Sequence, residues 1–200
     1  MKKIKPTHLS KNAQIIKYIV ERLPDKLGRT HLLKLIYLAD YHSHRLFGKP
    51  ISEFKYIWYQ NGPFDKSFYG YINSLKNSYI EEVSVQYPSG CHGYVYRNIP
   101  AQMKYDNISE PEFYLLQYVI ENYSKVDLQT LLDEIVYETE PMKDVIKKKA
   151  YGKRLPMKIV DNFDKEIYKG LNPEDIISGK KAIHEGKAHS LEEVFSALQS

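Results

Sequence analysis

The stretch HLLKLIYLADYHSHRLFGKPISEFKYIWYQNGPF, His31 to Phe64, decides how the chain is read. From Leu32 to Ala39 it is apolar on nearly every side, as a central helix covered by neighbours should be. Thr30 stands where an N-cap belongs, and Gly48, Lys49 and Pro50 stop the helix. Phe54, Tyr56 and Trp58 then alternate, the period of a short strand or extended segment. Asn61 and Gly62 make a turn, Pro63 sits where a helix accepts a missing N–H, and Asp65 adds negative charge to a first turn. This predicts a third helix from Pro63 to about Asn77.

Eight aromatic residues fall between Phe54 and Tyr71. A core needs aliphatic volume more than rings, so this many hydroxyl-tipped rings predict a half-wet surface that packs on something. Phe54, Tyr56, Trp58 and Phe68 are assigned to the core. Tyr59, Asn61, Phe64 and Tyr69 are assigned to the surface and, with Gly62 and Pro63 of the turn between them, are candidate partner contacts. Asp40 and His44 are four apart on one helix face and join them as candidate partner contacts. The same pair offers an oriented imidazole, but a solvated or mutually hydrogen-bonded helix-end pair is the favoured reading. His42 and His44 point to opposite sides of a helix and cannot share a metal.

Outward from this stretch, Ile15, Ile16, Ile19, Val20 and Leu23 mark an amphipathic first helix closed by Pro24. Downstream, YIEEVSVQY and GYVYRNI predict a hairpin in which Val83, Val85 and Tyr87 face Tyr94 and Tyr96. Ser109-Glu-Pro-Glu112 is a capping box that opens a helix through Phe113, Leu116, Val119, Ile120 and Tyr123. A further helix after Asp127 has Leu128, Leu131, Leu132, Ile135 and Val136 as its apolar face and is ended by Glu140-Pro141. The expected fold is α+β and mostly helical, with about five principal helices, a small hairpin or sheet and a C-terminal helical appendage. The expected division is a main domain over residues 1–150, with a basic leader, and a basic linker with short helices over 151–200.

The 200 residues carry a formal charge of only +4, but it is segregated. Residues 1–50 and 141–158 are strongly basic, and residues 106–140 are strongly acidic. Segregation favours docking to a charged partner over uniform coating of nucleic acid, and internal charge pairing is an equal alternative. The single cysteine, Cys91, forms no internal disulfide and supports no zinc site by itself, which fits a reducing cytosol. The lysine-bearing N-terminus lacks the apolar core of a signal peptide and no apolar run approaches eighteen residues, so a cytoplasmic protein without membrane contact is expected. Neither GxGxxG nor GxxxxGK[ST] occurs, no nucleophile elbow is present, and no cofactor is expected. The run KKKAYGKR interleaves Tyr151 with cations that suit a phosphate backbone, although a solvated linker is the plainer reading.

The ordered set Lys34 to Asp40, Gly48 to Ile51, Lys55 to Tyr59 and Tyr59 to Pro63 resembles the Panacea domain, the SocA-like antitoxin domain. There a K-L-x-Y-L-A helix, a G-[KR]-P-[IL] stop, an aromatic strand and a Y-x-x-G-P turn follow one another. The likeness runs from Arg29 to about Met142. It implies a non-enzymatic antitoxin that neutralises an adjacently encoded cognate toxin by direct binding, with the aromatic band as its platform. It also implies, as an alternative, a proteolytic adaptor whose tail meets a protease. A DNA-binding regulator is the remaining class, with a winged helix built from residues 109–140 and the hairpin, and self-association stays open.

Overall fold

The computed structural model describes residues 9–23, 27–86, 90 and 92–159. Helix α1 (Lys11–Arg22) is followed by the two-residue strand β1 (Leu27–Gly28) and the long α2 (Arg29–Phe47). A small hairpin, β2 (Ile57–Tyr59) and β3 (Gly62–Phe64), leads to α3 (Phe68–Leu75). The larger hairpin, β4 (Ile80–Gln86) and β5 (His92–Asn98), precedes α4 (Glu110–Tyr123). Helix α5 starts at Leu128–Thr130, widens into a π-helical turn over Leu131–Val136, and is followed by α6 (Glu140–Lys147). The fold is therefore α+β and mostly helical. No helix among the described residues is long and apolar enough to cross a membrane.

Helix α2 is buried without a break from Leu32 to Tyr41, and α1 from Asn12 to Val20. Each fully buried Leu or Ile contributes about 1.5–3 kcal/mol, so these two helices hold the centre. The arrangement also buries lysine. Lys17 is enclosed, its Nζ donating to Asn98 Oδ1 and, at 3.3 Å, to the Ile99 carbonyl. Gly48, at φ 69°, caps α2 in the left-handed conformation that favours glycine.

Several local expectations are corrected. The N-cap of α2 is Gly28, not Thr30, because Leu27 and Gly28 pair with Tyr96 and Val95 and the chain enters the helix straight from that strand. Pro63 does not open a helix. It stands in β3 opposite Trp58, flanked by the pairs Ile57–Phe64 and Tyr59–Gly62. An antiparallel ladder alternates bonded and non-bonded pairs, so proline fits where no ladder N–H is needed. Asp65 then ties the amides of Lys55 and Ser67, at 2.6 and 2.8 Å, and α3 begins only at Phe68.

The larger hairpin is shifted by one from the expected facing. Val83 opposes Val95, while Glu82 opposes Tyr96 and Ser84 opposes Tyr94. Buried Tyr96 is fixed by its pairing with Leu27 on the other edge, which sets this register. The helix expected after Asp127 does begin there, and Asp127 caps it, accepting from the Gln129 and Thr130 amides. Glu140-Pro141, however, opens α6, whose Pro141, Met142 and Val145 are buried. Beyond it, Gly152 N–H donates to Trp58 O (2.8 Å), Trp58 N–H to Lys153 O (3.0 Å) and Leu155 N–H to Tyr56 O (2.8 Å). Residues 152–155 thus flank β2 as a third extended segment. The Pro24 stop, Tyr87, Cys91 and the C-terminal helical appendage lie outside the described residues.

Candidate functional site

The small hairpin is held in place by polar side chains of α2. Lys34, buried, donates from Nζ to the Pro63 carbonyl at 2.5 Å, and burial lowers its pKa to about 7. One turn on, Tyr37 Oη lies 2.6 Å from Thr139 Oγ1, whose own proton goes to the Val136 carbonyl. Another turn on, Asp40 accepts from Ile51 N–H (2.9 Å), Ser52 N–H (2.7 Å), Ser52 Oγ and Tyr56 Oη (2.7 Å). Burial pushes the Asp40 carboxyl pKa up against the opposing pull of these donors. Three turns of one helix therefore position the hairpin, α6 and the 51–56 segment.

On its outer side the hairpin presents an open face. Directly opposed residues of an antiparallel pair share a face. Ile57 is opposed by Phe64 on one side and by Arg154 on the other, so the three form a row. Tyr59, two residues on, extends the same face. Its ring lies 5.4 Å from Phe64 and 5.9 Å from Tyr151, nearly parallel to the latter at 27°. Phe64 lies 5.9 Å from Tyr69, and Arg29 sits over both Tyr69 and Tyr94. A cleft of about 1090 Å³ opens over this face, lined by Glu53, Lys55, Ile57, Tyr59, Phe64 and Tyr71 among others. Tyr59, Tyr69 and Tyr151 are 41%, 40% and 52% exposed.

Of the residues singled out in the sequence, Tyr59, Phe64 and Tyr69 come together in this band, and Asn61 is exposed at the hairpin turn. Gly62 and Pro63 are buried beneath it. Gly62 has φ 82°, and a Cβ there would meet Tyr137, Val136 and Leu132 at 3.4–3.6 Å, so its role is to seat the hairpin on the π-helical turn. Asp40 is buried as well, and the expected pairing with His44 is replaced by the donors of residues 51–56. His44 is half-buried, with a pKa lowered by burial. His42 points elsewhere, its ring stacked on Tyr123 with Nε2 3.0 Å from Tyr123 Oη. Among the described residues no group of three or more His, Cys, Asp or Glu is placed to hold a metal.

Tyr151 and Arg154 also belong to the face, although the sequence alone does not assign them to it. The interleaving of Tyr151 in a basic run is the only local trace of this, and nothing nearby in the chain connects it with Tyr59. Phe54, Tyr56 and Phe68 are core residues as expected, and Trp58 is partly buried against Tyr151.

A family model described as antitoxin SocA-like, Panacea domain, matches residues 32–143, the span from α2 through the first half of α6. No curated protein and no solved structure matches the chain. The polar residues of α2, the turn they hold and the helices behind it all fall within the matched span, and the chain belongs to the SocA-like antitoxin family with its Panacea domain.

Proposed function

We propose that this protein is an antitoxin that neutralises a cognate toxin, encoded beside it, by direct binding rather than by catalysis. The reading is carried by one observation. Within the family span, Tyr59 and Phe64 of a hairpin braced from below and Tyr69 of α3 form a contiguous aromatic band. Tyrosine gives large contact area at small entropic cost, and a braced platform loses little freedom on binding. Asn61 at the turn supplies hydrogen bonds at the rim. Asp40 acts through the scaffold, by fixing the 51–56 segment. Co-expression with the product of the neighbouring gene tests the proposal. Growth rescue together with co-purification is the expected result, and a toxic neighbour that is neither bound nor relieved would overturn it.

A further inference from the structure

The aromatic face carries charge that toxin binding leaves unexplained. Tyr151 is presented by a tight, closed turn. Lys149 has φ 51° and Gly152 φ 75°, Ala150 N–H donates to the Val145 carbonyl at 2.8 Å, and Lys153 N–H donates to the Ala150 carbonyl at 3.0 Å. Lys149 adopts a left-handed conformation that disfavours a side-chain-bearing residue, and the outcome is an exposed ring laid nearly parallel to Tyr59. Around these rings, Lys55, Lys66, Lys149, Lys153 and Arg154 are all exposed, and none makes an ion pair among the described residues. Arg154 shares the row of Ile57 and Phe64. Of the acids on this side, Asp65 commits both oxygens to the amides of Lys55 and Ser67 and Glu53 lines the same cleft, so the five cations outnumber these two acids. The face is thus cationic and aromatic together.

An open extended surface with rings in adjacent rows, edged by unpaired cations, suits unpaired bases and their phosphates. We propose that the face formed by Tyr151, Tyr59 and Phe64 with Lys55, Lys66 and Arg154 binds single-stranded RNA. The rings stack on successive bases and the cations follow the backbone. A duplex, whose bases already stack on one another, offers these rings nothing.

The chain's single tryptophan makes the site self-reporting, because the Trp58 ring lies 5.6 Å from that of Tyr151. A twelve-nucleotide oligouridylate is titrated into the full-length protein, with Trp58 fluorescence read for the wild type and anisotropy of labelled oligomer for the variants. Expected are saturable binding and a plot of log affinity against log salt with a slope of about −2, as for three phosphate contacts. Tyr151→Ala should weaken binding about 5- to 100-fold, with Tyr151→Phe restoring it, and Arg154→Gln should flatten the slope by about 0.7. Absence of saturable binding at low salt would overturn the proposal. So would unchanged binding by a folded Tyr151→Ala, equal affinity for a duplex, or tighter binding of the matching single-stranded DNA. The assay uses this protein alone, so its failure leaves the toxin reading standing, and failed growth rescue leaves this one standing.

Discussion

The ammonium of Lys34 meets the carbonyl of Pro63 inside the protein, and among the described residues it has no ion-pair partner. A helix side chain thereby holds the turn of a hairpin 29 residues further along. Both residues belong to the short motifs that carry the family resemblance, and the contact gives a physical reason for finding them together.

This contact carries a pH signature. Burial lowers the Lys34 pKa from 10.5 to about 7, so between those values the unfolded chain binds more protons than the folded one, and stability rises with pH. The penalty for burying the cation is present in full below the folded pKa and disappears above the unfolded one. Relative to Lys34→Met, in which no proton is exchanged, the wild type should gain about 2–3 kcal/mol between about pH 7 and pH 9. Urea unfolding at several pH values measures this, and parallel curves for the two proteins would refute it.

Asp40 should be less replaceable. Four donors converge on its two oxygens in a buried site. Asp40→Ala leaves two backbone amides and two hydroxyls unmet and should cost about 3–5 kcal/mol. Asp40→Asn, which keeps one acceptor, should cost about half as much. Chemical denaturation of the two variants decides it, and a loss below about 1 kcal/mol for Asp40→Ala would contradict the assignment.

Two glycines should respond in opposite directions. Gly62→Ala forces a side chain into φ 82° against Tyr137, Val136 and Leu132, and should destabilise by about 1–2 kcal/mol. A methyl group added at Gly70, inside α3, would meet nothing within 4 Å, so Gly70→Ala should stabilise by about 0.5–1 kcal/mol. Thermal melts of both variants check the pair.

The central helix, the Gly48 stop, the helix start after Asp127, buried Phe54, Tyr56 and Phe68 and exposed Tyr59 and Tyr69 were legible in the sequence, because each rests on a local pattern, whereas Trp58 and Phe64, assigned to opposite sides, are both partly buried. What stayed hidden depends on distant partners. Pro63 satisfies the rules for a first helical turn, and only its pairing with Trp58 makes it a strand residue. Asp40 and His44 do sit one turn apart, but which donors reach Asp40 is settled by the chain after Gly48. The π-helical turn at Leu131–Val136 keeps the apolar spacing of an ordinary helix. The nearly parallel setting of Tyr151 on Tyr59 joins residues far apart in the chain, beyond the reach of any local pattern.

On the proposed function, toxin binding resides in the aromatic band rather than in the fold at large. Tyr59 is exposed, so Tyr59→Ala should leave stability within about 0.5 kcal/mol of the wild type. At the centre of an interface the same change should weaken toxin binding by about 2 kcal/mol or more, roughly thirtyfold. Calorimetric titration of the purified toxin into wild-type and Tyr59→Ala protein is the direct measurement. A folded variant that binds at least about thirtyfold more weakly is the predicted result, and a folded variant that binds as tightly as the wild type would contradict the account.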